Sequence, residues 1–191
     1  RLAPDLDRTG EFGDVDILVP RARLDDVETA LRLRGWQSSV HDAYDQRYYR
    51  QWMHELPPMT HVRRGTTLDV HHTLLPKVGK VRVDIDAMFA SIEPVAGADG
   101  AFVLSPVDMV LHSATHLFHE GEFNHALRDL FDLDSLVRHF AGLNPSFWDA
   151  LVPRAQELGL ARPLYYALRY MSQMLQTPVP DRVVAQARSD E

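Results

Sequence analysis

The chain has 191 residues, 45% hydrophobic and 25% charged, which is typical of one substantial globular domain or two small ones. A formal net charge of −7 argues against a broad nucleic-acid-binding surface that acts by electrostatic attraction. The absence of cysteine excludes disulfides and thiolate metal sites. No apolar run approaches the roughly 18 residues of a membrane span, so we expect a cytoplasmic protein with no membrane partner.

The N-terminal segment predicts a strand followed by an amphipathic helix. Residues 1–13 are polar and favour a loop. From Asp14 the run D-V-D-I-L-V-P is rich in β-branched residues and is stopped by Pro20, which predicts a short strand. Apolar residues then recur at helical spacing from Leu24, and Gly35 stands where a helix C-cap is expected.

The next segments favour extended structure. The aromatic residues and paired prolines of residues 36–64 indicate extended segments. The alternation T-T-L-D-V-H-H-T-L of residues 66–74 predicts a strand, and the alternation in residues 81–86 predicts another strand or an extended edge segment. Glycines in residues 97–100 mark a break.

Beyond residue 100 the periodicity becomes helical. Ser105 is placed as an N-cap, Pro106 at the first helical position and Asp108 at the third, close to a capping box. The pattern predicts an α/β domain at residues 1–100 and a helical domain at residues 101–191. Its helices are expected at residues 106–120, 124–140, 145–159 and 161–176, with a short one after Pro180.

Two aspartates on the first predicted strand form the strongest candidate site. Residues i and i+2 of a strand face the same way, roughly 6–7 Å apart, so Asp14 and Asp16 lie on one face. Such carboxylates repel unless a cation or an arginine lies between them, and Mg²⁺ prefers oxygen ligands. Asp69, on a later strand, would let two metals be held about 3.5–4 Å apart for in-line phosphoryl transfer. Solvated acids at a loop edge are the plain alternative.

A second pair with the same spacing, Asp84 and Asp86, is ranked lower. We predict no capped helix after it, and an exposed edge strand explains its charges. The loop R-T-G-E-F-G before Asp14 further favours the first pair.

The motifs occur in an ordered series: G-D-V-D-I-L-V, a helix ending L-R-L-R-G-W, then L-D-V-H-H-T-L, L-S-P-V-D-M-V-L-H-S-A-T-H and L-R-D-L-F-D-L. From Arg8 to about Leu160 this series resembles the uncharacterised nucleotidyltransferase family. That family belongs to the polymerase-β-type superfamily, with the aminoglycoside and antitoxin-like nucleotidyltransferases. The resemblance implies an α+β fold, in which a polymerase-β-like mixed sheet with helices precedes a C-terminal helical bundle.

The resemblance also implies roles for individual residues. Asp14 and Asp16 would bind metal, and the acid of the family's acid–apolar–His strand falls on Asp69, with His71 beside it. Arg8 occupies the place of an arginine that often precedes the aspartate pair.

In the helical half, the resemblance places three further residues at the cleft: His116, Arg128 and Asp132. Arg128 would pair with a triphosphate or with Asp132. The histidines of the first helix allow a separate hypothesis, a histidine-rich metal or hydrolytic site, because His112, His116 and His119 share one helix face. Lining the cleft or capping core contacts is the structural alternative for them.

The chain departs from the family at its N-terminus. Members usually have a Gly-containing helix start upstream of the aspartate pair, whose backbone amides hold the phosphates. Only 13 residues precede Asp14 and none matches that motif, so we expect the domain to lack its N-terminal helix. This departure best supports an alternative function, a catalytically inactive nucleotidyltransferase fold that binds a partner protein or acts like an antitoxin.

The leading hypothesis is an Mg²⁺-dependent nucleotidyltransferase. It would use two Mg²⁺ ions to move a nucleoside monophosphate from an NTP to an acceptor. The acceptor is expected to be a small molecule or a protein, and the acidic charge makes nucleic acid less favoured.

Overall fold

The computed structural model describes residues 14–76, 81–119 and 125–188. The chain forms two compact units, Arg1–Lys80 and Val81–Glu191. Their secondary structure confirms the predicted α+β fold, with a mixed sheet followed by C-terminal helices. Within the described residues, no helix has the length and apolar character needed to cross a membrane. The predicted division into residues 1–100 and 101–191 stays a prediction.

The N-terminal unit contains a four-stranded sheet in the order β1-β4-β3-β2. β1 runs parallel to β4, whereas β3 is antiparallel to both of its neighbours. A 3₁₀ turn follows β1, and Gly35 adopts a φ of +89° just after α1, as expected at a helix C-terminus. The elements are β1 (Asp14–Leu18), α1 (Leu24–Leu33), β2 (Trp36–Ser38), α2 (Ala43–Trp52), β3 (Met59–His61) and β4 (Thr67–His71).

One face of this sheet is apolar and packs against α1. Leu56, Leu68 and Val70 are buried there. The partly buried residues packed around them come from β1 and the residue that follows it, from α1 and from β2: Ile17, Val19, Leu24, Val27, Leu31 and Trp36. Because strand residues alternate between faces, Asp16 of β1 and Asp69 and His71 of β4 are left on the opposite side of the sheet.

The extended structure expected for residues 36–64 is wrong over α2. The Asp42 side chain caps this helix by accepting hydrogen bonds from the backbone N–H of Tyr44 at 2.7 Å and of Asp45 at 3.2 Å. An ion pair then ties α2 to α1, since Arg50 Nη2 lies 2.6 Å from the nearly buried carboxylate of Glu28. The aromatic residues favoured strands by propensity, and a cap and this tertiary ion pair override that preference.

The C-terminal unit is largely helical. Pairwise packing of α4 with α5, α6 and α7, and of α8 with α6 and α7, builds its buried core. The predicted N-cap is confirmed, because Ser105 Oγ accepts a hydrogen bond from the Asp108 N–H at 3.3 Å. The elements are α3 (Ile85–Phe89), β5 (Glu93–Pro94), β6 (Phe102–Val103), α4 (Pro106–His119), α5 (Ala126–Leu143), α6 (Phe147–Glu157), α7 (Ala161–Leu175) and α8 (Asp181–Arg188).

Residues 81–86 form no strand, and the expected extended structure is wrong over Ile85 and Asp86, which lie in a helix. Asp84 is the N-cap of α3, and its side chain accepts a hydrogen bond from the Ala87 N–H at 3.0 Å. The first aspartate of this pair therefore caps a helix and the second, Asp86, lies in its first turn, contrary to the prediction. The break at residues 97–100 is the turn of the small β5–β6 hairpin, which the sequence patterns did not predict.

A buried ion pair joins three helices of the C-terminal unit. The carboxylate of Asp108 in α4 is fully buried and receives both Nε and Nη2 of Arg154 in α6, each at 2.9 Å. Ser91, just after α3, donates to the same carboxylate at 2.6 Å, and Arg154 also donates to the Ala87 carbonyl at 2.9 Å. This contact raises the already high pKa of Arg154, so its guanidinium stays charged.

We expect Asp108→Ala to lower the free energy of unfolding by roughly 3–5 kcal/mol, because it leaves the charge of Arg154 partly buried without its partner. Urea unfolding followed by circular dichroism measures the change. The matched control is Asp149→Ala, which breaks the exposed Arg182–Asp149 pair of the same unit and should cost at most about 1 kcal/mol. Equal losses in the two variants would contradict the structural role assigned to Asp108.

Candidate metal and nucleotide site

The register of the two parallel strands brings two of the predicted carboxylates together. Asp16 of β1 is the direct partner of Asp69 of β4. Neighbouring strands lie about 4.8 Å apart, and partners in register point to the same side of the sheet. Asp16 is exposed and Asp69 is half-buried, while the flanking Leu68 and Val70 are buried on the other face.

His71 extends this polar face by one more alternate position of β4. Its Nε2 donates a hydrogen bond to the Asp16 carboxylate at 3.3 Å. The same nitrogen lies 3.6 Å from Oε2 of Glu55. His71 is therefore the shared partner of two acidic side chains from different segments.

The acidic surroundings change the protonation of this histidine. Burial alone would lower the pKa of His71, but the hydrogen bond to Asp16 opposes that effect. The negative charges of Glu55, Asp16 and Asp69 add to the hydrogen bond, and the net result is a raised pKa. A protonated His71 offsets part of the repulsion among the three carboxylates.

Glu55 and His54 were not among the predicted site residues. Main-chain hydrogen bonds place them there: Glu55 forms an antiparallel bridge with His71, and the His72 N–H donates to the His54 carbonyl at 2.9 Å. The rings of His54 and His71 stack with centroids 5.2 Å apart. His54, Glu55 and His71 each offer one ligand atom, and these three atoms lie within 4.8 Å of one another.

Tyr49 of α2 also belongs to this neighbourhood. Burial raises the pKa of its hydroxyl, and the charges of Glu55, Asp45 and Asp69 raise it further. The phenol therefore stays protonated near the carboxylates, where it can donate a hydrogen bond but carries no charge.

The site offers two kinds of metal ligand. Asp16 and Asp69 present hard carboxylate oxygens, which suit Mg²⁺. His54 and His71 present imidazole nitrogens, which suit zinc and related cations better than Mg²⁺. Both sets lie on one unit of the chain and meet at the hydrogen bond between His71 and Asp16.

The remaining predicted residues are placed less completely. The backbone of Asp14 pairs with Thr67 in the β1–β4 register, and Arg8 lies outside the described residues. Their predicted roles, and those of the helical residues below, stay predictions.

The other predicted residues lie in the C-terminal unit. His116 is exposed on α4, and Asp132 is exposed on α5. Arg128, also exposed, lies 3.9 Å from Asp129 rather than forming the alternative pair with Asp132. In the part of the chain that the structure describes, His112, His116 and His119 do not form a group of three converging metal ligands.

The sequence gives little indication that His54 and Glu55, the two residues that prediction missed, belong to the site. His54 and Glu55 lie just before Pro57-Pro58, and nothing in their spacing links them to residue 71. Only the pairing of the segment around Glu55 with the end of β4 makes them neighbours of His71.

The chain is similar over most of its length to one family of known proteins. No curated protein and no solved structure matches it. The model of the family described as uncharacterised nucleotidyltransferase matches residues 8–176, which is most of the chain and agrees with the resemblance of the motifs. The chain therefore belongs to the uncharacterised nucleotidyltransferase family.

Proposed function

We propose that this protein transfers a nucleoside monophosphate from an NTP to an acceptor hydroxyl, with Asp14, Asp16 and Asp69 at the reaction centre. Family membership supports nucleotidyl transfer as the class of reaction. The observation that carries the site assignment is the parallel register that sets Asp16 directly beside Asp69.

The carboxylates fit the divalent cation that such a reaction uses. Asp16 and Asp69 lie side by side on adjacent strands, and Asp14 lies two positions before Asp16 on the same strand. Their oxygens are the ligands that Mg²⁺ prefers, so these three residues would hold it. Bound Mg²⁺ supplies neutralisation of the charge on the triphosphate and on the departing pyrophosphate.

The proposed step is an in-line displacement. The acceptor oxygen forms a bond to the α-phosphorus while the bond between that phosphorus and the α–β bridging oxygen breaks. The electron pair leaves with pyrophosphate, and the proton of the acceptor hydroxyl passes to the carboxylate of Asp69. No covalent intermediate with the protein is needed, because this chemistry depends mainly on positioning and charge neutralisation.

His71 is proposed to position Asp16. Its hydrogen bond at 3.3 Å holds one oxygen of that carboxylate, while backbone contacts on both sides hold His71. The Val19 N–H donates to the His71 carbonyl at 2.9 Å on one side, and Glu55 forms the bridge on the other. The exposed carboxylate of Asp16 therefore gains a fixed orientation from a residue that is itself fixed.

The remaining substrate contacts are also proposals. Arg8, His116, Arg128 and Asp132 would bind the nucleotide or the acceptor, as in the family pattern. The acceptor would be a small molecule or a protein, because the net charge of −7 disfavours a nucleic acid.

The aspartate variants test this function. Asp14→Asn and Asp16→Asn should each lower transfer of label from a radioactive NTP by at least about 100-fold, because each removes several kcal/mol of charge stabilisation. The assay contains Mg²⁺ and cell lysate as the source of acceptor, and labelled products are resolved on gels and by thin-layer chromatography. Asp26→Asn is the matched control, since Asp26 is an exposed aspartate of α1 and should leave labelling unchanged. Labelling that survives both site variants would refute the assignment.

His71 should also make the stability of the metal-free protein depend on pH. Its folded pKa lies above the ordinary value of 6.5, so its contribution is fully present below pH 6.5 and is lost as pH rises through the folded pKa. The difference in unfolding free energy between wild type and His71→Gln should therefore favour the wild type most below pH 6.5 and shrink on the alkaline side. Urea unfolding in EDTA at a series of pH values measures this difference. A difference that stays constant with pH would contradict the prediction.

A further inference from the structure

We propose that His54, Glu55 and His71 form a second metal site, which lies beside the aspartate site and binds a borderline divalent cation of the zinc class. The three potential ligand atoms lie within 4.8 Å of one another. This site concerns metal binding by the chain itself and does not depend on nucleotidyl transfer.

The backbone fixes the two segments that carry the ligands. Glu55 is bridged to His71, and the Leu56 N–H donates to the Val70 carbonyl at 2.9 Å on one side of that bridge. On the other side, the His72 N–H donates to the His54 carbonyl, also at 2.9 Å. Main-chain hydrogen bonds therefore fix the two segments relative to each other, so metal binding would not require a loop to become ordered.

The side chains are sheltered but reachable from solvent. The side chains of Glu55 and His71 are 17% and 21% exposed, respectively. Their facing atoms, Oε2 and Nε2, are 3.6 Å apart, and the His54 ring stacks on the His71 ring at an angle of 27°. A cation entering between them exchanges water for two nitrogens and one carboxylate oxygen.

The ligand types select the class of cation. Two histidines and one glutamate are a ligand set of zinc sites that keep an open fourth position. Imidazole nitrogens are poor ligands for Mg²⁺, which prefers oxygen and keeps much of its water. The fourth ligand would be either a water molecule or Asp16, whose Oδ1 lies 3.3 Å from His71 Nε2.

The test uses the full chain, stripped of metal with EDTA and then dialysed free of it. Zn²⁺ is titrated into the protein by calorimetry in the presence of excess Mg²⁺, which occupies oxygen-only sites. We expect one equivalent of Zn²⁺ to bind per chain. Substitution with Co²⁺ should give the intense visible absorption of a four-coordinate site with nitrogen ligands.

Conservative variants locate the bound ion. His54→Asn and Glu55→Gln should each weaken Zn²⁺ binding by at least about tenfold, since even indirect supports of a metal site have effects of that size. The matched controls are His41→Asn and Asp26→Asn, which alter an exposed histidine and an exposed acid of the same unit and should leave the affinity unchanged. Circular dichroism of every variant reports whether it is folded.

A footprint of the unmodified protein needs no variant at all. Zn²⁺ should protect His54 and His71 from diethylpyrocarbonate, as read by mass spectrometry, while His41 stays reactive. The proposal is overturned if no stoichiometric Zn²⁺ binds in excess Mg²⁺, or if the His54 and Glu55 variants bind as wild type does. It is equally overturned if Asp14→Asn abolishes Zn²⁺ binding while His54→Asn preserves it, because the ion then belongs to the aspartate site.

Discussion

The parallel pairing of β1 with β4 is the constraint on which the candidate site depends. These strands are far apart in the sequence, and their register alone decides that Asp16 meets Asp69 instead of an apolar neighbour. The burial of Leu68 and Val70 fixes that register, because a shift of one residue would carry both into solvent and the carboxylates into the core. The apolar face of the sheet therefore specifies the chemistry of the polar face.

Acidic residues gathered on one face must be stabilised in the absence of a metal. His71 does this by donating to Asp16 and by lying close to Glu55, and its raised pKa is the electrostatic result of that position. Elsewhere in the same unit, Glu28 takes Arg32 and Arg50 as partners, each at 2.6 Å. That second cluster holds α2 against α1, and α2 leads directly into the segment of His54 and Glu55.

Much of the fold is predictable because its signals are local. The strand at Asp14, the glycine after α1 and the Ser105 cap depend on neighbours a few residues away, and the structure places all three as predicted. The helix α2 was missed because its aromatic residues favour strands; its Asp42 cap is a local signal, but its ion pair with Glu28 is a distant contact that no local pattern reveals. Asp84 was assigned to an extended segment for a different reason. An aspartate can cap a helix or lie in an exposed edge strand, and α3 is very short.

The same distinction applies to the site. Alternation along each strand was enough to nominate Asp16 and Asp69 as polar-face residues, whereas their direct pairing depends on the register of two distant strands. His54 and Glu55 join them through a bridge between residues 55 and 71, a contact between segments of unlike sequence pattern. Tyr49 lies in α2, so the expectation of extended structure there also concealed its place near the site. The pairing of segments that are distant in the sequence is therefore the part of the site that the residues alone did not predict.

The two prolines between Glu55 and β3 have a consequence for the faces of this sheet. Within β3, Met59 pairs with Leu68, and the same register continued backwards would set Leu56 beside His71. The observed bridge is instead between Glu55 and His71, which is a slip of one residue across Pro57-Pro58. Prolines donate no backbone hydrogen bond, so they accommodate such a bulge. Without the slip, Leu56 would face the carboxylates and Glu55 the apolar core, so the number of residues in this link decides which of the two side chains reaches the site.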